Sequence, residues 1–216
     1  METLAAYLPP DRQLALASGA HLADRASGAA LFADISGFTP LTSALARELG
    51  PQRGAEELTR QLNFVYGALI AEVERYGGSV ISFSGDAITC WFDESFELAA
   101  LSAEPDAADA QNAKRKAQTL AVLRAAACAL AMQAAMRQFA ALATPGGASF
   151  AIQIKIAISS GTCRRFLVGN RHIQLIDVLA GSILDRISAA QQHALPGDVL
   201  IGADEARVLG AALRLR

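Results

Sequence analysis

The sequence predicts an α+β protein in which helices cover a mostly antiparallel sheet. Three observations carry this expectation. Short apolar runs, several with period-two alternation, are bounded by glycine and turn residues. Between them lie longer segments whose leucines and valines recur at helical spacing. The order is strand, helix, helix, hairpin, helix, strands, helix, strand, with no internal repeat.

Residues 1–28 read as an N-terminal lead-in with a short helix near 12–17, and residues 29–216 as one domain. Residues 29–34 form an apolar run expected to be a buried strand, broken at Gly37. Thr39 followed by Pro40 reads as a hydroxyl N-cap and a proline at the first helical position. Leu41, Leu45 and Leu49 follow on one face, and Gly50-Pro51 stops the helix. A second helix is expected over 55–75, with Leu58, Leu62, Val65, Leu69 and Val73 on one stripe and Gly77-Gly78 after it. Residues 79–92 read as two strands about a turn at Ser84-Gly85-Asp86.

Over 93–118 the periodicity fails, and the segment is expected to be a flexible insertion. An alanine-rich helix is expected over 119–142, with Leu120, Leu123, Ala127, Leu130 and Ala134 as its packing stripe against a sheet or partner. Alternating isoleucines predict a strand over 150–159, and 166–168 and 173–179 are further strands. Residues 182–192 are expected to be helical, and Pro196-Gly197-Asp198 turns into a last strand at 199–201.

Composition narrows the function. The chain has 216 residues, 52% of them hydrophobic, enough for a substantial core. Its formal net charge of −2 provides no basic field for nucleic acid or an anionic membrane. Charges or glycine interrupt the apolar stretches before the roughly 20 residues of a bilayer span, and the N-terminus lacks the pattern of a secretory signal. Cys90, Cys128 and Cys163 are isolated, as expected of buried thiols in a cytoplasmic protein. His21, His172 and His193 show no metal spacing, and Trp91 reads as a core or dimer contact. Arg164 and Arg165 read as a solvated turn, and Lys155 as facing solvent or a partner subunit.

The chemistry concentrates at two aspartates. Asp34 ends an apolar run beside Gly37, and Asp86 sits in the hairpin turn. Glycine after a strand lets successive N–H groups point outward, and the helix that follows aims its positive end at the same place. Ile35, Ser36, Gly37, Phe38 and Thr39 therefore read as a backbone cradle for phosphates. Asp34 and Asp86 could bridge hard cations, Mg²⁺ or Mn²⁺, to those phosphates. Either aspartate alone reads more readily as an ordinary turn or cap residue, and the whole string around Asp34 is far more specific than either piece.

The string Phe32-Ala33-Asp34-Ile35-Ser36-Gly37-Phe38-Thr39, with Gly54-Ala55-Glu56-Glu57-Leu58, Gly77-Gly78 and Phe83-Ser84-Gly85-Asp86-Ala87, resembles the class III nucleotidyl cyclase catalytic domain. The likeness runs from about residue 29 to 201. With the run Asp177-Val178-Leu179-Ala180-Gly181, it is similar to the first catalytic domain of tandem cyclases of the soluble adenylyl cyclase type. The resemblance implies a ferredoxin-like βαββαβ core. It also implies two metal ions held by Asp34, Asp86 and the Ile35 carbonyl, and a triphosphate held by the amides through Phe38 and Thr39. The implied reaction is attack of the ribose 3′-hydroxyl on the α-phosphate, giving a cyclic nucleotide and pyrophosphate.

The chain departs from the family pattern in its other half. Ser82 stands where a base-reading lysine is usual, and Asp185 and Ala189 stand where an asparagine and an arginine serve the transition state. Arg186 is one residue beyond Asp185 and should point elsewhere on the helix. Ser82 and Ser188 also match the lysine and arginine that bind bicarbonate in the tandem relatives. The resemblance thus implies an adenylate cyclase domain, with ATP preferred to GTP, that supplies the metal and phosphate half of a shared site. Its complement would be a second cyclase domain in tandem or in trans, or a second copy in a homodimer. A different reading is a catalytically silent nucleotide-sensing or dimerisation module that regulates an attached effector.

Overall fold

The structure, a computed structural model, describes residues 8–95, 107–170 and 172–210. Helix α1 (Pro10–Ser18) precedes strand β1 (Arg25–Ser36), so the first strand starts inside the expected lead-in. Helices α2 (Phe38–Leu49) and α3 (Pro51–Arg75) follow, separated by Gly50 alone, with Pro51 opening the second. Strands β2 (Ser79–Ser84) and β3 (Ala87–Asp93) form the hairpin, and helix α4 (Ala107–Ala135) crosses back to the sheet. A two-stranded ribbon, β4 (Leu142–Ala143) with β5 (Ser149–Phe150), leads to β6 (Gln153–Asn170) and β7 (Gln174–Ala180). Helix α5 (Ser182–Gln191), strand β8 (Val199–Ile201) and helix α6 (Ala203–Leu209) close the described chain.

The main sheet runs in the order β2-β3-β1-β6-β7, with β8 parallel to β6 and all other pairings antiparallel. The segment β6-β1-β3-β2, with α3 and α4 as crossovers, is the ferredoxin-like arrangement that the sequence predicts. Alternation along β1 divides the interior. Ala29, Leu31, Ala33 and Ile35 face α2, α3 and α4 with Leu41, Leu45, Val65, Leu69, Val73 and Met132. Ala30 and Phe32 face the other way, towards Trp91, Ala157 and the Ile183 and Ile187 face of α5. Trp91 is therefore core, and its indole donates to Asp93 at 2.9 Å.

Several expectations need correction. Helix α4 starts at Ala107, so part of the expected 93–118 insertion is helical, while 96–106 lie outside the described residues. Its buried face is Ala121, Val122, Ala125, Cys128, Ala129 and Met132, not the predicted stripe, and Leu130 is half exposed. Small side chains bring this helix close to the sheet, and hydropathy period alone does not distinguish alanine faces. By length and composition, 111–139 could also cross a membrane, contrary to the sequence expectation; here its buried face covers the sheet. The strands expected at 150–159 and 166–168 are one 18-residue strand, β6. It stays continuous because it changes partner midway: Arg164 pairs with both Arg25 of β1 and Ala180 of β7.

Arg165 is not in a solvated turn. Its side chain is 1% exposed and forms ion pairs with Asp177 and Asp11. Nε and Nη2 of Arg165 donate to Asp177 at 3.0 and 2.8 Å, and Arg12 donates to the same carboxylate at 3.1 and 2.8 Å. Two arginines and two aspartates thus neutralise one another and fasten α1 to the β6–β7 pair. Burial alone would push the Asp177 carboxyl up, but the bonds from Arg165 and Arg12 outweigh it and hold it below its usual value.

All three cysteines are buried and unpaired. Cys90 and Cys128 lie in the larger core and Cys163 in the smaller. Burial raises Cys128 to about 12 and Cys163 to about 11, and it raises Cys90 well above the ordinary thiol range.

Removing Arg165 leaves the buried Asp177 carboxylate with Arg12 as its remaining cation and removes the partner of Asp11. Arg165→Met should lower stability by about 3–5 kcal/mol in urea unfolding, with Arg165→Met/Asp177→Leu recovering much of the loss. The pH dependence has a defined sign. Asp177 is depressed in the folded state, so its contribution is present above the unfolded carboxyl value of about 3.9. It is lost as pH falls through the lower folded value. Thermal melts of Asp177→Asn should therefore vary less with pH in this acid range than those of the wild type.

Candidate active site

Register brings Asp34 beside the turn that carries Asp86. Asp34 lies near the end of β1 opposite Ala87, the first residue of β3, and Asp86 is the turn residue just before it. The Ile35 N–H donates to the Asp86 carbonyl at 3.2 Å, joining the strand end to the turn. Tyr66 of α3 steadies the turn from the other side. Its hydroxyl donates to the Gly85 carbonyl at 3.3 Å, and its ring meets Phe83 edge-on at 5.3 Å. Burial, and then the nearby Asp86 charge, raise the Tyr66 phenol above its usual value.

Gly37 turns the chain from β1 into α2. Its φ is +104°, and a Cβ there would lie 2.2 Å from the Ala151 carbonyl oxygen. Helix α2 begins at Phe38 with Gly37 as its cap, two residues earlier than the Thr39 cap expected from sequence. No side chain caps this end and no acidic residue occupies its first turn. The first-turn N–H groups therefore point outward beside Asp34, where the helix end favours an anion. Ile35 is joined to the Asp86 turn through its N–H, and Ser36, Gly37, Phe38 and Thr39 follow it directly along the chain into α2.

Lys155 also belongs to this site, contrary to the expectation that it faces solvent or a partner. It pairs directly across from Asp34 in the β1–β6 register. Its Nζ is 3.3 Å from Asp34 Oδ2, with the two side chains 25% and 30% exposed. The same ammonium donates to the Gln191 carbonyl at 3.4 Å. The Gln191 side chain in turn donates to the Phe32 carbonyl at 3.1 Å and the Lys155 carbonyl at 3.5 Å. Neither residue is marked by a motif. The only sequence signal for Lys155 is a cation within the alternating isoleucines Ile154, Ile156 and Ile158.

The donors expected from the sequence are all oxygen: the Asp34 and Asp86 carboxylates and the Ile35 carbonyl. Among the described residues, no group of three or more His, Cys, Asp or Glu side chains converges as a metal cage. Such a sparse oxygen set fits Mg²⁺ or Mn²⁺, which bind through one or two carboxylates and complete their shell with water and phosphate. It does not fit the nitrogen and sulfur sites typical of zinc.

Ser82 shares the Asp34 face of the sheet, through its pairing with Thr89 and that of Thr89 with Phe32. Asp185, Ser188 and Ala189 lie on the exposed side of α5. Arg186 is directed back at the sheet, donating to Ser159 Oγ at 2.8 Å and to the Ser160 carbonyl. It does not substitute for the missing arginine.

No family model matches the chain. Adenylate cyclase type 10 from rabbit (Oryctolagus cuniculus) is 38% identical over 65 residues, 30% of this chain and 4% of that protein. The rat (Rattus norvegicus) protein of the same name is 39% identical over 61 residues, 28% of this chain and 4% of that one. The chain thus spans a small fraction of these relatives' length. Among solved structures, the adenylyl cyclase CyaB from P. aeruginosa matches with TM-score 0.61 and 21% identity, covering 86% of this chain and 81% of that one. The guanylyl cyclase Cya2 gives 0.60 and 21%, covering 88% and 82%. A bacterial light-regulated adenylyl cyclase gives 0.64 and 15%, covering 96% and 53%. The chain has the fold of class III adenylyl and guanylyl cyclase domains.

Gly37 is constrained both by its backbone angle and by space. Gly37→Ala should cost about 1–3 kcal/mol in urea unfolding and weaken tripolyphosphate binding measured by calorimetry. Retention of both would remove the turn from the phosphate cradle.

Proposed function

We propose that this chain is a nucleotidyl cyclase domain that contributes the metal and triphosphate half of an active site completed by a second cyclase domain. The observation that carries the reading is the convergence of Asp34, Asp86 and the uncapped start of α2 on one end of the sheet. The oxygen donors of Asp34, Ile35 and Asp86 would hold Mg²⁺ or Mn²⁺. When bound, two such ions lower the pKa of the attacking hydroxyl and neutralise charge on the leaving phosphates. The amides of Phe38 and Thr39 hold the triphosphate by hydrogen bonding, and Lys155 stands close enough to add a positive charge. The ribose 3′-oxygen forms a bond to the α-phosphorus as its proton passes to solvent water. The bond from that phosphorus to the bridging oxygen breaks, and pyrophosphate leaves.

The same observations favour a partner. Ser82, Asp185 and Ala189 provide neither a cation for the base edge nor one for the phosphorane, so these groups come from another domain. The β6–β7 hairpin leaves Phe166, Leu167, Val168, Leu175 and Ile176 exposed, an apolar surface suited to such a contact. ATP is the proposed substrate, supported by the adenylate cyclase relatives. A catalytically silent nucleotide-sensing module is the second reading, favoured by the same three positions.

Cyclic nucleotide formation from Mn²⁺-ATP and Mn²⁺-GTP separates these readings. The isolated chain should turn over little. Mixed with a cyclase domain carrying the lysine, asparagine and arginine, it should form cAMP, and Asp34→Ala or Asp86→Ala should abolish that activity. Robust turnover by the chain alone would defeat the split-site reading. Nucleotide binding without turnover in any pairing would establish the silent module.

A further inference from the structure

The Asp34–Lys155 pair raises a problem that the proposed metal site must solve. A carboxylate cannot serve an ammonium group and a divalent cation at full strength together, because the two cations repel each other. The ammonium is held loosely. Its contacts to Asp34 and to the Gln191 carbonyl are 3.3 and 3.4 Å, at the long limit of hydrogen bonding. The base of the side chain is fixed, by contrast. The Lys155 backbone lies in the β1–β6 ladder, opposite Asp34, and Gln191 ties the adjoining part of β1 by donating to the Phe32 carbonyl at 3.1 Å. A fixed stem with a weakly held head on a flexible four-carbon chain can swing. The uncapped α2 terminus beside Asp34 marks where a triphosphate would present its oxygens.

We propose that Lys155 is the resident counter-cation of Asp34, and that an arriving triphosphate draws it away and so opens Asp34 to the metal. Divalent metal and triphosphate then bind as a linked pair, each strengthening the other. The inference rests on the reading of Asp34 as a metal ligand.

Two readouts without turnover test it. Mn²⁺ binding to the nucleotide-free chain is followed by electron paramagnetic resonance, and metal-free tripolyphosphate binding, in EDTA, by calorimetry. Lys155→Met should bind Mn²⁺ about two- to fivefold more tightly than the wild type, the range expected for a partly exposed ion pair, and bind tripolyphosphate more weakly. Lys155→Arg, which keeps the charge, should stay near the wild type in Mn²⁺ binding. A merely structural lysine would lower both affinities on removal, so changes of opposite sign are diagnostic. Unchanged or weaker Mn²⁺ binding in Lys155→Met, or unchanged tripolyphosphate binding, overturns the exchange. Asp34→Asn separates the two levels of failure. If it abolishes Mn²⁺ binding while Lys155→Met has no effect, only the exchange falls; if it leaves Mn²⁺ binding intact, the metal reading of Asp34 falls as well.

Discussion

The register of β1 is the constraint on which the rest depends. This strand lies between β3 and β6, and its pairing with both fixes which residues meet. In the observed register Asp34 stands opposite Ala87 on one side and Lys155 on the other. A slip of one residue would turn Asp34 to the face of Leu31, Ala33 and Ile35, burying a carboxylate among apolar side chains at a cost of several kcal/mol. The fully buried residues of that face hold the register, so the hydrophobic core sets the site geometry directly. Gly37 adds a second lock, since its turn touches the Ala151 carbonyl just ahead of β6.

The two faces of the sheet do different work. One is covered by α2, α3 and α4 and carries the larger core. The other has α5 over its middle and α1 fastened by the Asp11, Arg12, Arg165 and Asp177 network. Asp34, Lys155 and Ser82 open onto this second face. A cavity of about 390 Å³ lies at the opposite end of β1, lined by residues including His21, Arg25, Asp93 and Glu94. The aspartate site itself is open rather than enclosed, with Asp86 exposed. An open site needs a second surface to exclude water, which agrees with the proposal that another domain completes it.

What the sequence made legible was local. Gly37 and Gly85 are needed by sharp turns, and both turns place an aspartate at a strand end, so Asp34 and Asp86 could be paired before any fold was known. The leucine and valine stripes of α2 and α3 were equally plain. Non-local pairings were not. Lys155 meets Asp34 only through a register spanning 121 residues (155 − 34), and Arg165 meets Asp11 across 154. Nothing near Arg165 in sequence reveals a buried carboxylate, and a solvated arginine was the natural reading. Helix α4 failed for another reason: alanine has little hydropathy contrast, so its buried face of Ala121, Ala125 and Ala129 was invisible beside more conspicuous leucines.

The buried thiols have a use unrelated to chemistry at the site. Cys90 and Cys128 sit beneath the three-helix layer, whereas Cys163 sits on the α5 side. Each is protonated and shielded in the folded chain, so a thiol reagent can reach it only when its own layer parts from the sheet. The chain therefore carries two natural clocks, one per face, whose ticking rates report how independently the two coverings open. A chain that breathes on its α5 side while its other layer stays shut would reveal which half of the sheet is free to accommodate a neighbour.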